Sequence, residues 1–250
     1  MGYRSTSVKS KWVKTKWLLA SSTTRRYVPR TRLFNRSNLS SMVSQYSTVY
    51  FKPTDGTGGK NIIRIQKKGK GYKAQYNYSK SRLSSLSALH KHLSKHAHGR
   101  SYLLQRGVNL AKSKGRRFDI RVVVQKSKGG SWKSTALFTK IGKPGKVTTN
   151  YHQGGRLGYF RSTLKGAGYG NAAIERKEAQ LERLGRSVGR VFSRHSKGFR
   201  ELGLDIALDS KRRTWILEVN TRPYFSAMKH SNRSMHRRVM SYAQKYGRKK

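Results

Sequence analysis

A chain of 250 residues with 57 Lys and Arg against 9 Asp and Glu, a net charge of +48, attracts polyanions whatever else it does. The length allows one large domain or two small ones with a proper core, although only 34% of the residues are hydrophobic. The absence of cysteine excludes disulfides, thiolate zinc sites and cysteine nucleophiles. No apolar run is long enough for a transmembrane helix. The first residues are basic but carry neither the apolar stretch nor the cleavage site of a secretory signal. Nucleic acid, acidic polypeptide and anionic polymer all remain as partners. The cations are spread along the whole chain, which fits a basic globular surface better than a basic tail.

In chain order, residues 1–10 read as disordered, and residues 11–20 (K-W-V-K-T-K-W-L-L-A) as a short basic amphipathic helix. An extended entry strand over 27–34 contains Pro29, and a helix over 37–46 puts Leu39, Met42 and Val43 on one side. Strands at 48–52 and 61–66 flank the loop P-T-D-G-T-G-G-K. Such a loop is either an ordinary hairpin turn or a flexible cover whose backbone N–H groups approach phosphate oxygens. Lys52 would add a point charge at the strand end. The Walker spacing is absent, and a strand follows where a Walker loop has a helix.

A third strand is expected over 71–78 and a helix over 81–98, with Leu83, Leu86, Leu89 and Leu93 at helical spacing. Its histidines, His90, His92, His96 and His98, read as an exposed basic face, since no carboxylate or thiolate lies nearby in sequence. A strand over 101–109 leads through Gly107 into a second lobe. On the strand 117–125, Asp119, Arg121 and Val123 share one face, with Phe118, Ile120, Val122 and Val124 on the other. A buried Arg121 needs an anionic partner, either a substrate phosphate or carboxylate, or a structural pair with Asp119 or another acid. There follow a strand at 132–141, a polar loop at 142–155 and a long helix at 171–195, whose Glu175, Glu178 and Glu182 read as surface pairs. A basic helix over 233–246 and a frayed tail close the chain.

The stretch 201–223 (E-L-G-L-D-I-A-L-D-S-K-R-R-T-W-I-L-E-V-N-T-R-P) reads as two strands, 202–209 and 213–220, joined by a tight turn. Leu204, Ile206 and Leu208 share one face, and Asp205, Ala207 and Asp209 the other. On the second strand Trp215, Leu217 and Val219 oppose Ile216, Glu218 and Asn220. A two-residue turn at Lys211 and Arg212 sets Asp205 across from Glu218. This is either a solvated face or a hard-oxygen set of the kind Mg²⁺ takes. Four of the nine acids (Glu201, Asp205, Asp209, Glu218) fall in this window, which favours the metal.

The segments F-K-P-T-D-G-T-G-G-K-N-I, Y-L-L-Q-R-G-V-N-L, G-R-R-F-D-I-R-V-V-V-Q-K, G-K-P-G-K-V-T-T-N-Y-H-Q-G-G, E-L-G-L-D-I-A-L-D and W-I-L-E-V-N-T-R-P stand in an order that resembles an ATP-grasp domain. More closely, the chain is similar to the endospore coat-associated YheC/YheD family, over residues 11–246. The resemblance implies an α+β ATP-grasp fold in two lobes, with nucleotide held between two antiparallel sheets. Residues 1–46 would be a basic lead-in, a shortened form of the domain that usually precedes the grasp. Residues 47–106 would be the small lobe and 107–250 the large lobe.

By the same resemblance Lys52 contacts nucleotide phosphates beneath the cover formed by Asp55, Gly56, Thr57, Gly58, Gly59 and Lys60, with Lys11 as a second phosphate lysine. Gln105, Arg106, Gly107 and Val108 form the linker that contacts adenine. Arg121 touches the transferred phosphoryl group or the acyl phosphate, and Asn150 lines the acceptor side. Asp205, Glu218 and Asn220 hold one or two Mg²⁺. Lys140 stands where the family's pattern calls for an arginine. The implied activity is ATP- and Mg²⁺-dependent ligation of a carboxylate to an amine, and the basic composition, rather than the resemblance, suggests an acidic peptide among the substrates. The alternative is a nucleic-acid or polyanion binder, or a structural spore protein, on a grasp scaffold without turnover. A cytoplasmic or spore-coat location is expected.

Overall fold

The computed structural model describes residues 2–56, 58–145, 147 and 154–249. Two antiparallel sheets form its frame. The first takes β1 (Thr31–Leu33), β6 (Tyr102–Arg106), β2 (Thr48–Pro53), β3 (Ile63–Lys68), β4 (Gly71–Tyr76) and β5 (Ser79–Leu83), in that spatial order. The second takes β10 (Arg156–Tyr159), β9 (Trp132–Ile141), β8 (Arg116–Lys126), β11 (Glu201–Leu208) and β12 (Thr214–Asn220), with β7 (Lys112–Ser113) on the end of β8. This is the α+β, two-sheet architecture expected.

Alternation along β2 buries Val49 and Phe51 on one face of the first sheet and turns Tyr50 and Lys52 to the other. The buried face is covered by α2 (Arg36–Gln45), through Leu39, Met42 and Val43, and by α3 (Leu86–Ala97), through Leu89 and Leu93. Residues 2–46 divide between the sheets. Strand β1 pairs with β6 in the first, while α1 (Lys11–Ala20) lies near α5 (Asn171–His195) of the second, where Trp17 meets Phe192 edge-on at 5.2 Å.

The second sheet is buried on one whole face. Phe118, Ile120, Val122 and Val124 of β8 and the four even-numbered residues of β11 pack on Leu181, Val188 and Phe192 of α5. Contact is so close that a Cβ at Gly189 would lie 2.4 Å from Cδ2 of Trp132, so glycine is required inside this helix. The opposite face is covered at one end only. There α7 (Arg233–Ala243) and α6 (Ala227–Ser231) pack on Val123, Ala136 and Phe138. The other end of that face stays open and looks toward the first sheet.

Several elements differ from expectation. The third strand ends at Tyr76, and residues 79–83, assigned in part to a helix, form β5. Leu83 pairs with Tyr72 there, and α3 starts only after the Ser85 cap, whose side chain accepts from Ala88 N. The expected entry strand is a 3₁₀ turn (Arg25–Tyr27) followed by the short β1. Strand β10, α4 (Phe160–Lys165) and α6 were not foreseen. The opening residues, expected to be disordered, form an extended strap. Arg4 N donates to Tyr246 O at 2.8 Å, Thr6 N to Gly198 O at 3.0 Å, and Val8 N to Thr221 Oγ1 at 2.9 Å. The surface glutamates of α5 do pair, but Glu178 and Glu175 pair with Arg161 of α4, and only Glu182 has an i,i+4 partner, Arg186. The α3 histidines are not a plain solvated face, since His90 stacks on Phe34 and His96 meets the edges of Phe51 and Tyr76.

Candidate active site

The open end of the second sheet and the cleft face of the first enclose a cavity of about 730 Å³, within the range of small-molecule sites. Its chemistry starts from the β11–β12 hairpin. Asp205 and Glu218 are direct cross-strand partners, as expected, but by a different route. The turn has three residues, 210–212, closed by Asp209 N donating to Arg213 O at 3.0 Å, with Arg212 left-handed at φ 60°. That register alone would set Asp205 against Leu217. A bulge leaves Leu217 without a partner between the pairs Ile206–Ile216 and Asp205–Glu218, and restores the opposition. The bulge also corrects the expected faces. Ile216 joins Val219 in the core, while Leu217 lines the cavity beside Glu218.

Of the four acids in this window, two are structural. Asp209 accepts from the backbone N of Lys211 and Arg213 and from the side chains of Arg213 and Trp215, all at 2.7–2.9 Å. Glu201 is fully buried and accepts from Tyr3 Oη at 2.6 Å, Tyr246 Oη at 2.8 Å and Arg248. Asp205 and Glu218 remain for the cavity.

Asp205 is the hub. Arg121 grips it with two bonds, Nε to Oδ1 at 2.8 Å and Nη2 to Oδ2 at 3.1 Å. Lys140 Nζ donates to Oδ1 at 2.7 Å and lies 3.0 Å from Asp119. Asn220 Nδ2 donates to Oδ2 at 3.2 Å, so its amide oxygen is the atom it would offer a cation. Of the two partners open to Arg121, the structure takes an acid, and it is Asp205 rather than Asp119. Burial opposes charge on Asp205, but the Arg121 and Lys140 charges outweigh it and hold the carboxyl well below its usual range. Burial likewise opposes charge on Arg121 and Lys140, and their acidic neighbours push both above their ordinary values. Gly203 makes room for the fork. A Cβ there would meet Pro223 Cβ at 2.7 Å and Arg121 Nη1 at 3.2 Å.

Across the cavity, Lys11 Nζ donates to Gly56 O at 2.6 Å and lies 3.5 Å from Glu218 Oε1, which ties the glycine loop to the metal-type hairpin. Lys52 Nζ donates to Gln105 Oε1 at 2.6 Å. Burial, and then the Lys11 charge, push Lys52 down to about 8 against the pull of Glu218. Lys14, one helical turn after Lys11, is buried and is also pushed down to about 8, again chiefly by burial.

Most of the sequence-derived residues meet here. Lys11, Lys52, Gly56, Gly58, Gly59, Lys60, Gln105, Arg106, Val108, Arg121, Asp205, Glu218 and Asn220 all line the cavity. Two stand apart. Asp55 turns outward to Arg100 at 3.4 Å. Gly107 spends its N–H on Thr48 O at 2.8 Å, with no room for a Cβ beside Thr48. Thr57 and Asn150 lie outside the described residues. Sequence reasoning missed Tyr50 and the apolar wall of Phe138 and Leu157, which line this cavity, and Lys14, which lines a small adjoining pocket with Lys11, Lys52 and Glu218. Tyr50 could have been found as the same-face neighbour of Lys52, and Lys14 as the residue one turn from Lys11.

Among the described residues no three His, Cys, Asp or Glu side chains converge as a metal cage. Two opposed carboxylates and one amide fit a small hard cation that completes its shell with water and phosphate oxygens, which is the habit of Mg²⁺.

The sequence profile of the family described as YheC/D like ATP-grasp matches residues 3–249. The endospore coat-associated protein YheD of Bacillus subtilis (strain 168) is 28% identical over 232 residues, 89% of this chain and 50% of that protein. The chain thus spans half the length of that relative. Among solved structures, an ATP-grasp RimK domain protein from Sphaerobacter thermophilus DSM 20745 aligns with TM-score 0.54 and 14% identity, over 95% of this chain and 67% of that one. The ADP complex of PurK, an N5-carboxyaminoimidazole ribonucleotide synthetase, aligns with TM-score 0.51 and 13% identity, over 95% of this chain and 52% of that one.

Proposed function

Because the chain belongs to the YheC/D like ATP-grasp family, we propose that its cleft binds ATP with Mg²⁺ and joins a carboxylate to an amine. The observation that carries this reading is the convergence on one cavity of Lys11, Lys52, Arg121 and Lys140 with Asp205, Glu218 and Asn220. Asp205, Glu218 and Asn220 would hold Mg²⁺, which supplies charge neutralisation on the phosphates. In the reaction a substrate carboxylate oxygen takes the γ-phosphoryl group and ADP departs. An amine nitrogen then attacks the acyl carbon, phosphate leaves with the C–O bond electrons, and the nitrogen loses a proton. The chain needs no nucleophile of its own for this, which suits a sequence without cysteine.

The side chains act by position and charge. Lys52 sits at the end of β2 under the glycine loop and presents one ammonium to phosphate oxygens. Lys11 holds the loop at Gly56 O and can exchange that carbonyl for a phosphate. Arg121 and Lys140 now lie on Asp205. An incoming phosphoryl group competes for the same donors, so Arg121 and Lys140 would turn to the phosphate and leave the Asp205 carboxylate free to serve as a ligand. The relative's printed description supports a further proposal, that this chain too associates with the endospore coat.

The test is a thermal-shift titration with a nonhydrolysable ATP analogue, with and without Mg²⁺, at raised salt that suppresses nonspecific anion binding. A saturable, Mg²⁺-dependent stabilisation is expected. A shift that inorganic polyphosphate reproduces and salt erases would leave the alternative, a polyanion binder without turnover.

A further inference from the structure

Between Thr31 and Arg106 the sequence has fifteen Lys and Arg and a single acid, Asp55. Register sorts these cations by face. Tyr50 of β2 pairs with Arg64, Arg64 with Gln75, and Gln75 with Lys80; Gln66 pairs with Lys73, and Lys73 with Arg82. Cross-strand partners share a face. Arg64, Lys73, Lys80 and Arg82 therefore lie on the face that carries Tyr50 and Lys52 into the cavity, opposite the face packed on α2 and α3. Lys80 and Arg82 are exposed, and Arg64 and Lys73 half-buried. Among the described residues no ion pair joins these four to a carboxylate; the one acid of the region is turned to Arg100.

The cations crowd one another. Partial desolvation, and then the charges of Lys80, Arg64, Lys68 and Arg82, push the Lys73 ammonium down. Arg64 bridges platform and cavity. Its Nη2 donates to Gln75 Oε1 at 2.5 Å, and the charges of Arg64 and Arg117 both act on the cavity-lining Tyr50. Its Nε is buried with no hydrogen-bond partner among the described residues. Such an orphan next to a ligand path calls for an acceptor. Gln75 in turn donates to Gly145 O at 3.0 Å, which joins the platform to the loop after β9.

We propose that this face is the docking surface for an acidic peptide, a chain of Asp or Glu residues that leads one of its carboxylates into the cavity. The proposal rests on the ligase reading, for which it names the substrate class. Along a strand, same-face residues repeat at roughly 6.8 Å, the spacing of alternate side chains in an extended peptide. Alternate carboxylates can then pair with Lys80 and Arg82 on one strand while a neighbour reaches Arg64. Single-stranded nucleic acid fits less well, because base-stacking aromatics are what such sites need. Tyr72 and Tyr76 alternate with Lys73 and Gln75 and so project from the other face, and Tyr50 lines the cavity itself, which leaves Tyr78 as the exposed ring beside the platform, short of a row of stacking rings.

The experiment measures binding of a fluorescein-labelled oligoglutamate, and of an oligonucleotide of equal charge, by anisotropy at two salt concentrations. The full chain is compared with the triple variant K73Q/K80Q/R82Q and with a control triple variant, K91Q/K95Q/R183Q, which removes the same charge elsewhere. The expected result is a roughly tenfold weaker hold on oligoglutamate in the first variant and near wild-type binding in the second, the size expected for three exposed pairs. Equal losses in both variants would reduce the surface to net charge and overturn the proposal. So would an oligonucleotide that binds tighter than oligoglutamate through the same three residues. ATP-analogue stabilisation is read in parallel. If it is absent while platform-dependent peptide binding persists, the ligase reading fails and the surface stands.

Discussion

The two sheets handle charge in opposite ways. The first runs in regular register through all its pairings and leaves its cations, the cleft-facing Lys52 apart, without a paired carboxylate among the described residues. The second has register shifts in two places, between Val123 and Val124 and between Asp205 and Ile206, and its carboxylates are inside and paired. A solvated charge asks nothing of the backbone. A charge brought into a cleft must be matched within hydrogen-bond reach, and the strand deviates locally to achieve it. Changes at the paired hub of the second sheet should therefore disturb both stability and ligand binding, and changes at the unpaired cations of the first should disturb binding alone.

The largest effect is expected at the hub. Asp205→Ala leaves Arg121 and Lys140 buried around a missing carboxylate and should lower the unfolding free energy by about 3–5 kcal/mol, read from urea melts. The loss should depend on pH. The folded state holds the Asp205 carboxyl below its unfolded value of about 3.9, so its contribution is complete above that pH and fades as pH falls below it. Wild type and variant should converge in acid. Equal urea midpoints at neutral pH would show that these pairs contribute nothing to the fold.

Glu218→Gln sharpens the contrast inside one sheet. Glu218 is partly exposed, at 26%, and among the described residues its ion-pair partner is Lys11, at 3.5 Å. Stability should change by less than about 1 kcal/mol, while Mg²⁺-dependent stabilisation by an ATP analogue should vanish. Retained stabilisation in a folded variant would remove Glu218 from the metal set.

The opposition of these two acids was legible in the sequence, although its mechanism was not. Period-two alternation in L-G-L-D-I-A-L-D specifies which side chains share a face, but a turn one residue longer and a bulge of one residue cancel, and neither leaves a pattern in composition. Long apolar elements with strong periodicity, such as α5 and β9, matched their expected limits. The edge strand β5 did not, because S-K-S-R-L has one hydrogen-bonded neighbour and hardly any apolar alternation to mark it. The strap 2–8 escaped notice for a related reason, since its anchors are backbone bonds, the hydroxyls of Ser5 and Thr6 and the phenol of Tyr3, none of which makes a periodic pattern. Lys14 looked like any exposed lysine of a basic helix, and only the docking of α1 over the cleft buries it.

Lys52 offers an intermediate effect on the boundary between the sheets. Its folded value of about 8 lies below the unfolded value of roughly 10.4, so the charged form is disfavoured in the folded chain. Without ligand this costs stability below pH 8, relieved as pH rises. Nucleotide binding has the opposite sign, because phosphate needs the ammonium. Stabilisation by the ATP analogue should be full below pH 8 and weaken above it, by at most about tenfold in affinity per pH unit. Lys52→Arg keeps its charge there and should flatten the profile. An unchanged profile would mean that Lys52 does not touch the phosphates.

The smallest effect is expected on the first sheet and carries the comparison furthest. Lys73 stands among Arg64, Lys68, Lys80 and Arg82, with no acid paired to them among the described residues. Lys73→Gln removes repulsion and breaks no ion pair seen among the described residues, so stability should stay close to wild type and, if it moves, rise. The urea midpoint is the readout, best taken at low salt, where repulsion is least screened. A folded sheet that tolerates such crowding holds its cations for something other than its own stability, and an external anion is what remains. A clear loss of stability in this variant would mean that Lys73 has an internal partner and that the two sheets are more alike than their registers suggest.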